Sequence, residues 1–350
     1  MNIYKNKMYL VFTVVAVLLF IFALFLIPNI KLGVEFKGGS LITVDTKEDV
    51  NTDLLKQSLL QAGFEEVKIT KFKTPFGYRM EIEIPNTETI EKAERMKERF
   101  QVLVDEWSKK IARGEDYSDV KAEIDNIMSE MASLSQTNFQ PSENPNDYTK
   151  AFSKMYSKIK DNYQKNIENT IKNYVSAESF KFQTVTPSLS ESFIEKAKGA
   201  AIASAIISII IVFFIFRNIG PSIAVIIGAA SDIITSLGGM ALFGIPLTLP
   251  SFAALLMLVG YSLDTDILLT TRVLKRKGDV RENAFEAMKT GLTMTSTGLL
   301  SFTVLYITSH ILRISLYNQI ASVALIGLVG DIFTTWGINA VLLMHFAKKE

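Results

Sequence analysis

Residues 8–27 are twenty consecutive amino acids without a charge. Wound as a helix they reach about 30 Å, the thickness of a bilayer's hydrocarbon core, so the stretch is long enough to span. Lys5 and Lys7 precede it, as they would in a secretory signal. It ends, however, in Leu26-Ile27-Pro28-Asn29 with no small-residue cleavage pattern, and a retained helix is expected. The pattern returns late in the chain. Residues 199–216 are eighteen uncharged positions, with Ala200, Ser204 and Ser208 on one face as a packing surface. After a tight turn over 217–221 a third span is expected to about 243. A fourth starts near Leu247, a fifth covers 290 to about 311, and a sixth covers about 316–346.

Residues 31–198 are of another kind, rich in Lys, Glu and Asp. The net charge of +1 for the whole chain gives no reason to expect nucleic acid. With no cysteine there is no disulfide, thiolate metal site or thiol nucleophile. The two histidines, His310 and His345, are far apart, and no metal or cofactor is expected. Residues 40–46, 67–72, 78–84 and 180–185 read as strands, with Pro75 and Gly77 turning between the second and third. Asn51 caps a helix through Leu54, Leu55, Leu59 and Leu60 that stops near Gly63. That order is the one of a ferredoxin-like α+β domain. Between its last two strands lies a helical insertion, about 89–176, read as two stretches, 89–135 and 148–175, split by the Pro- and Asn-rich segment 137–147.

Basic residues cluster at Arg272, Lys275, Arg276, Lys277, Arg281 and Lys289, and basic short loops stay cytoplasmic. The expected chain is therefore a polytopic α-helical membrane protein with six transmembrane helices and an extracytoplasmic α+β (ferredoxin-like) domain. Residues 1–28 form the cytoplasmic amino terminus and first span, 29–197 the external domain, and 198–350 a five-helix bundle with a cytoplasmic loop at 272–289. Lys348 and Lys349 place the carboxyl terminus inside as well.

Against this apolar background four acids stand out: Asp232, Asp264, Asp266 and Asp331. A carboxylate in lipid costs roughly 2.5–3.5 kcal/mol even on a lenient insertion scale, so such groups face a protein interior or a wet cavity and mark ion or proton routes. Most have hydroxyls one helical turn away, Thr235 and Ser236, Thr270, or Thr334 and Thr335, which could bond the acid. Asp264 and Asp266 point about 200° apart on one helix, so they serve different faces. Thr290, Thr293, Thr297, Ser301 and Thr308 form a hydroxyl stripe on the fifth helix, expected to face the aspartates and line a hydrated route.

Four stretches carry a family resemblance: GVEFKGGS after the first span, VTPSLSES before the second, SDIITSLG in the third and GYSLDTDILLTTR in the fourth. They resemble the SecD/SecF family of protein-export auxiliaries in the resistance-nodulation-division superfamily, most closely the SecF half of its archaeal branch. The resemblance implies Gly33, Glu35, Phe36, Gly38 and Gly39 as the family's motif turn. It also implies protonatable aspartates coupling ion flow to export, with Asp232 as the third-span acid, either Asp264 or Asp266 as the fourth-span acid, and Arg272 closing that span. The implied partners are SecD, the Sec translocon channel, translocating protein chains and membrane lipid. An intramembrane aspartyl protease is the weaker alternative, because the Pro-Ala-Leu motif of that class is missing. A scaffold without ion coupling is the third.

Overall fold

The computed structural model describes residues 2–6, 8–74, 77–312 and 314–347. The expectations for Lys7, Pro75, Lys348 and Lys349 lie outside the described residues. The chain divides into two compact units, Met1–Phe36 with Phe193–Glu350, and Lys37–Ser192.

It opens with α1 (Met8–Leu26), which a short 3-10 turn, Ile27–Asn29, closes at Pro28, and then the one-turn α2 (Val34–Lys37). The polar unit follows. β1 (Gly39–Thr46), β2 (Lys68–Thr74), β3 (Gly77–Ile84) and β4 (Ala177–Val185) form one antiparallel sheet in the order β2-β3-β1-β4. Between β1 and β2 runs α3 (Thr52–Gln61), capped as expected by Asn51, whose Oδ1 accepts the Asp53 and Leu54 amides at 2.9 and 3.3 Å. The strands alternate, so one face buries Ile42 and Val44 opposite Ile82 and Met80, and Leu55 and Leu59 of α3 are buried with them in one core.

The insertion holds three helices, α4 (Glu88–Arg113), α5 (Ser118–Ser135) and α6 (Pro145–Lys172). The first expected stretch is thus two helices. Gly114, at φ 66°, ends α4 in a left-handed turn that a residue with a Cβ adopts only at a cost. Phe100 stacks on Phe152 with ring centroids 4.2 Å apart, and Trp107 meets Tyr148 edge-on at 5.2 Å, tying α4 to α6. The apolar stripe is continuous with the sheet's core, which is why a mixed-charge surface still folds.

The other unit resumes at Phe193 within α7 (Pro187–Phe216) and continues with α8 (Ile219–Phe243), α9 (Leu249–Lys275), α10 (Val280–Leu312) and α11 (Ser315–Phe333), followed by a π-turn, Thr334–Asn339, and α12 (Ala340–Ala347). Among the described residues five helices are long and apolar enough to cross a membrane: Met8–Asn29, Leu189–Phe216, Ile219–Phe243, Leu249–Lys275 and Ser315–Ala347. The expected fifth span does form a helix, α10, but it is not among those five, because its hydroxyls dilute the apolar run. The loop expected over 272–289 contracts to 276–279. Helix continues on both sides, since Val273 on α9 and Ala284 and Ala287 on α10 are buried, and Asn283 donates to the Arg276 carbonyl at 2.9 Å.

A π-turn widens the helical spacing and frees backbone carbonyls. Two of these are met by α1 and the segment before it. The Tyr4 hydroxyl donates to the Trp336 carbonyl at 2.9 Å, and Thr13 donates to that of Gly337 at 2.8 Å.

Candidate functional site

The three elements α8, α9 and α11 with its π-turn each bring one acid to a common place. Asp232, Asp266 and Asp331 are all buried, at 3%, 0% and 3% exposure. Burial of a carboxylate requires hydrogen-bond donors. The donors come from neighbouring helices. Ser262 of α9 and Thr334 of the π-turn both give their hydroxyls to Asp232. Thr335 donates to Asp331 at 2.8 Å and lies 3.2 Å from Asp266 Oδ1. Asn339 donates its amide to the same Asp266 oxygen at 2.5 Å. Thr265 lies 3.4 and 3.5 Å from the two oxygens of Asp331, and the buried Thr295 of α10 bonds that acid as well.

This corrects the expectation that each acid is served by hydroxyls of its own helix. Ser236 and Thr270 instead bond the backbone carbonyls of Asp232 and Asp266, each at 2.7 Å, and Thr235 bonds that of Ser231. A hydroxyl four residues on in a helix meets the carbonyl before it meets the side chain, and only Thr335, after Asp331, escapes this.

The expected hydroxyl stripe is corrected in the same way. Thr293, Thr297 and Ser301 are exposed and donate to the carbonyls of Lys289, Thr293 and Thr297 at 2.9, 2.9 and 3.0 Å. The α10 hydroxyl that does reach the acids is Thr295, on the opposite side of the helix. Asp264 is exposed and stands apart from the cluster, and Arg272 is half-buried in the last turn of α9. Asp264 and Asp266 therefore do serve different faces, and the inward one is Asp266.

Two oxygens in the cluster, Asp266 Oδ2 and Asn339 Oδ1, are buried and have no hydrogen-bond partner among the described residues. Gly228 of α8 closes this corner. A Cβ there would lie 2.5 Å from Asp266 Oδ2 and 3.1 Å from Asn339 Nδ2, so only glycine lets α8 approach. Asn339 was not singled out from the sequence. Its signal was present in the four-residue spacing Asp331, Thr335, Asn339, which aligns three polar groups on one helix face. No cluster of three His, Cys, Asp or Glu fit to hold a metal occurs among the described residues.

The motif turn is built around Gly33. Its amide donates to the Leu247 carbonyl at 2.7 Å, and the Leu247 amide donates to the Lys31 carbonyl at 2.7 Å, so the segment after α1 is stitched to the one before α9. Glu35 and Phe36 are buried in α2, and Gly38 and Gly39 take φ values of 75° and 139°.

Residues 164–349 match the family model described as protein export membrane protein SecD/SecF, C-terminal. The chain belongs to the SecD/SecF family. Within it the chain is similar to archaeal SecF proteins, being 46% identical over 170 residues to that of Methanothermobacter thermautotrophicus and 41% over 174 residues to that of Methanocaldococcus jannaschii. Those alignments cover 48% and 49% of this chain and 59% and 62% of the relatives, so it spans about three fifths of the length of the SecF proteins it matches. The crystal structure of SecDF, a translocon-associated membrane protein from Thermus thermophilus, shares the fold at a TM-score of 0.59 and 17% identity. The match covers 99% of this chain and 37% of that one. The chain is thus a SecF-type, multi-pass membrane protein.

Proposed function

We propose that the chain is an accessory subunit of the Sec protein-export machinery, working with SecD beside the translocon channel on chains that are crossing the membrane. In this reading α10 is the fifth of six spans, both termini are cytoplasmic, and the ferredoxin-like unit with its helical insertion is extracytoplasmic. An ion or proton gradient is coupled to export through Asp232, Asp266 and Asp331. The observation that carries the proposal is that three acids from three apolar helices share one buried, hydrogen-bonded cluster. A fold that needed only stability would be served as well by apolar packing there, since a buried charge is weak evidence for stability and, at membrane depth, a pointer to an ion pathway. Among the fourth-span acids the role goes to Asp266.

The test is to replace Asp266 and Asp264 separately by Asn and to measure export driven by an imposed ion gradient. Asp266→Asn is expected to lose gradient-dependent export by at least about tenfold, the size of one lost charged hydrogen-bond network, and Asp264→Asn to retain it. Undiminished export from Asp266→Asn would leave a scaffold without coupling.

A further inference from the structure

We propose that the Thr335 hydroxyl is a proton bridge between Asp266 and Asp331, so that these two acids hold one proton between them. The inference rests on the reading that the cluster carries protons, and specifies how they are shared. Thr335 Oγ1 lies 2.8 Å from Asp331 Oδ1 and 3.2 Å from Asp266 Oδ1. A hydroxyl owns one hydrogen. If that hydrogen points to Asp331, the Thr335 lone pairs face Asp266 Oδ1, and the contact is favourable only when a hydrogen stands on Asp266. If it points to Asp266, the same holds for Asp331. In a site buried from water neither contact is rescued by solvent, so one ionised and one protonated acid is the arrangement that satisfies both.

The surroundings favour that single shared proton. The groups acting through space on these acids are carboxyls of the same set, Asp331 and Asp266 on Asp232, and Asp331 on Asp266, and like charges so close do not all ionise. From α8 comes Asp232, itself within hydrogen-bonding reach of Asp331. From α10 comes the neutral Thr295, with Arg281, Glu282, Glu286 and Lys289 in the first three turns of that helix and the exposed His310 in its last. α1 contributes no charge between Met8 and Leu26, Asp264 on α9 and His345 on α12 are exposed, and Tyr4 is engaged at the Trp336 carbonyl. Transfer along the bridge conserves every atom. The Asp266 O–H breaks as its proton passes to Thr335 Oγ1, and the Thr335 O–H breaks as its own proton passes to Asp331 Oδ1. One O–H has formed at each receiver, the hydroxyl is restored, and the negative charge has moved from α11 to α9.

The experiment is an infrared titration of the carboxyl C=O stretch in the full chain labelled with 13C-aspartate, in the native background and with Asp232→Asn. Thr335→Val fills the same space without the hydroxyl, and Thr335→Ser restores it. Thr270→Val is the matched control, because that hydroxyl meets only the Asp266 backbone carbonyl. The native chain is expected to show two well-separated protonation steps. Thr335→Val should draw them together by about one pH unit, the worth of one hydrogen bond to a charged group, while Thr335→Ser and Thr270→Val leave them apart. Unchanged separation in Thr335→Val, or an equal collapse in Thr270→Val, overturns the bridge. Should Thr335→Val not fold, Thr335→Ala is read in the same way. Unchanged separation together with export lost in Asp266→Asn would sink the bridge and leave the coupling. A collapsed separation with export intact in Asp266→Asn would uphold the bridge and sink the coupling.

Discussion

Asp266 and its neighbours show how far a residue's meaning depends on three-dimensional neighbours that spacing alone does not name. The sequence marks Asp264 and Asp266 equally, and helical geometry says only that they diverge. Which one turns inward is decided by packing against Gly228, and there a single atom matters. Gly228→Ala is expected to destabilise the protein by about 1–3 kcal/mol, as overpacking does, and to push Asp266 off Asn339. The first effect is read from thermal unfolding in detergent. The second is read as loss of gradient-dependent export beyond what the lost stability explains. The acids themselves were legible, because charge in an apolar run is conspicuous. Of their donors, Thr334 and Thr335 were in view and Asn339 had a spacing signal, whereas Ser262 and Thr265 are ordinary polar residues until α8, α9 and the π-turn bring them together.

At the scale of elements, apolar periodicity located nearly every helix and strand, and the departures share one cause. Periodicity reports the face a segment buries, and is silent on where a helix pauses or continues. The break at Gly114 and the extension of α9 through Arg272 and Lys275 and of α10 back to Arg281 were both invisible to it. The α10 stripe misled for a related reason: regular hydroxyls at four-residue spacing bond their own helix and face outward without penalty. Two predictions belong here. Phe100→Ala removes the partner of Phe152 between α4 and α6 and should cost about 3–5 kcal/mol in denaturant unfolding followed by far-UV circular dichroism. In the sheet, the Arg79 guanidinium beside Asp45, with the Ser179 hydroxyl, holds the Asp45 carboxyl below the usual carboxylate range. The folded value is then below the unfolded one, so the contribution is present above about pH 4 and fades as pH falls through the folded value. Asp45 keeps 34% of its side chain open to water, so Asp45→Asn should lose less than about 1 kcal/mol at pH 7 and less still at pH 2, compared by urea unfolding.

For the whole molecule, charge distribution separates a segment dense in Lys and Glu from segments where charges are few and clustered, and the dense one lies largely within the unit Lys37–Ser192. The polar unit has its own sheet and its own core, and its ends are paired in that sheet, Gly39 opposite Val185. Residues Lys37–Ser192 made alone are therefore expected to be soluble without detergent and to unfold in one cooperative step, as circular dichroism against temperature would show. The same pairing has a mechanical consequence. The chain enters this unit through β1 and leaves through β4, neighbours running in opposite directions, so a pull applied through the two connections bears first on the rung at Gly39 and Val185 and then on each rung in turn. The ladder opens like a zipper and does not share the load across its length, which makes this pair of strands the part of the unit that yields first under tension.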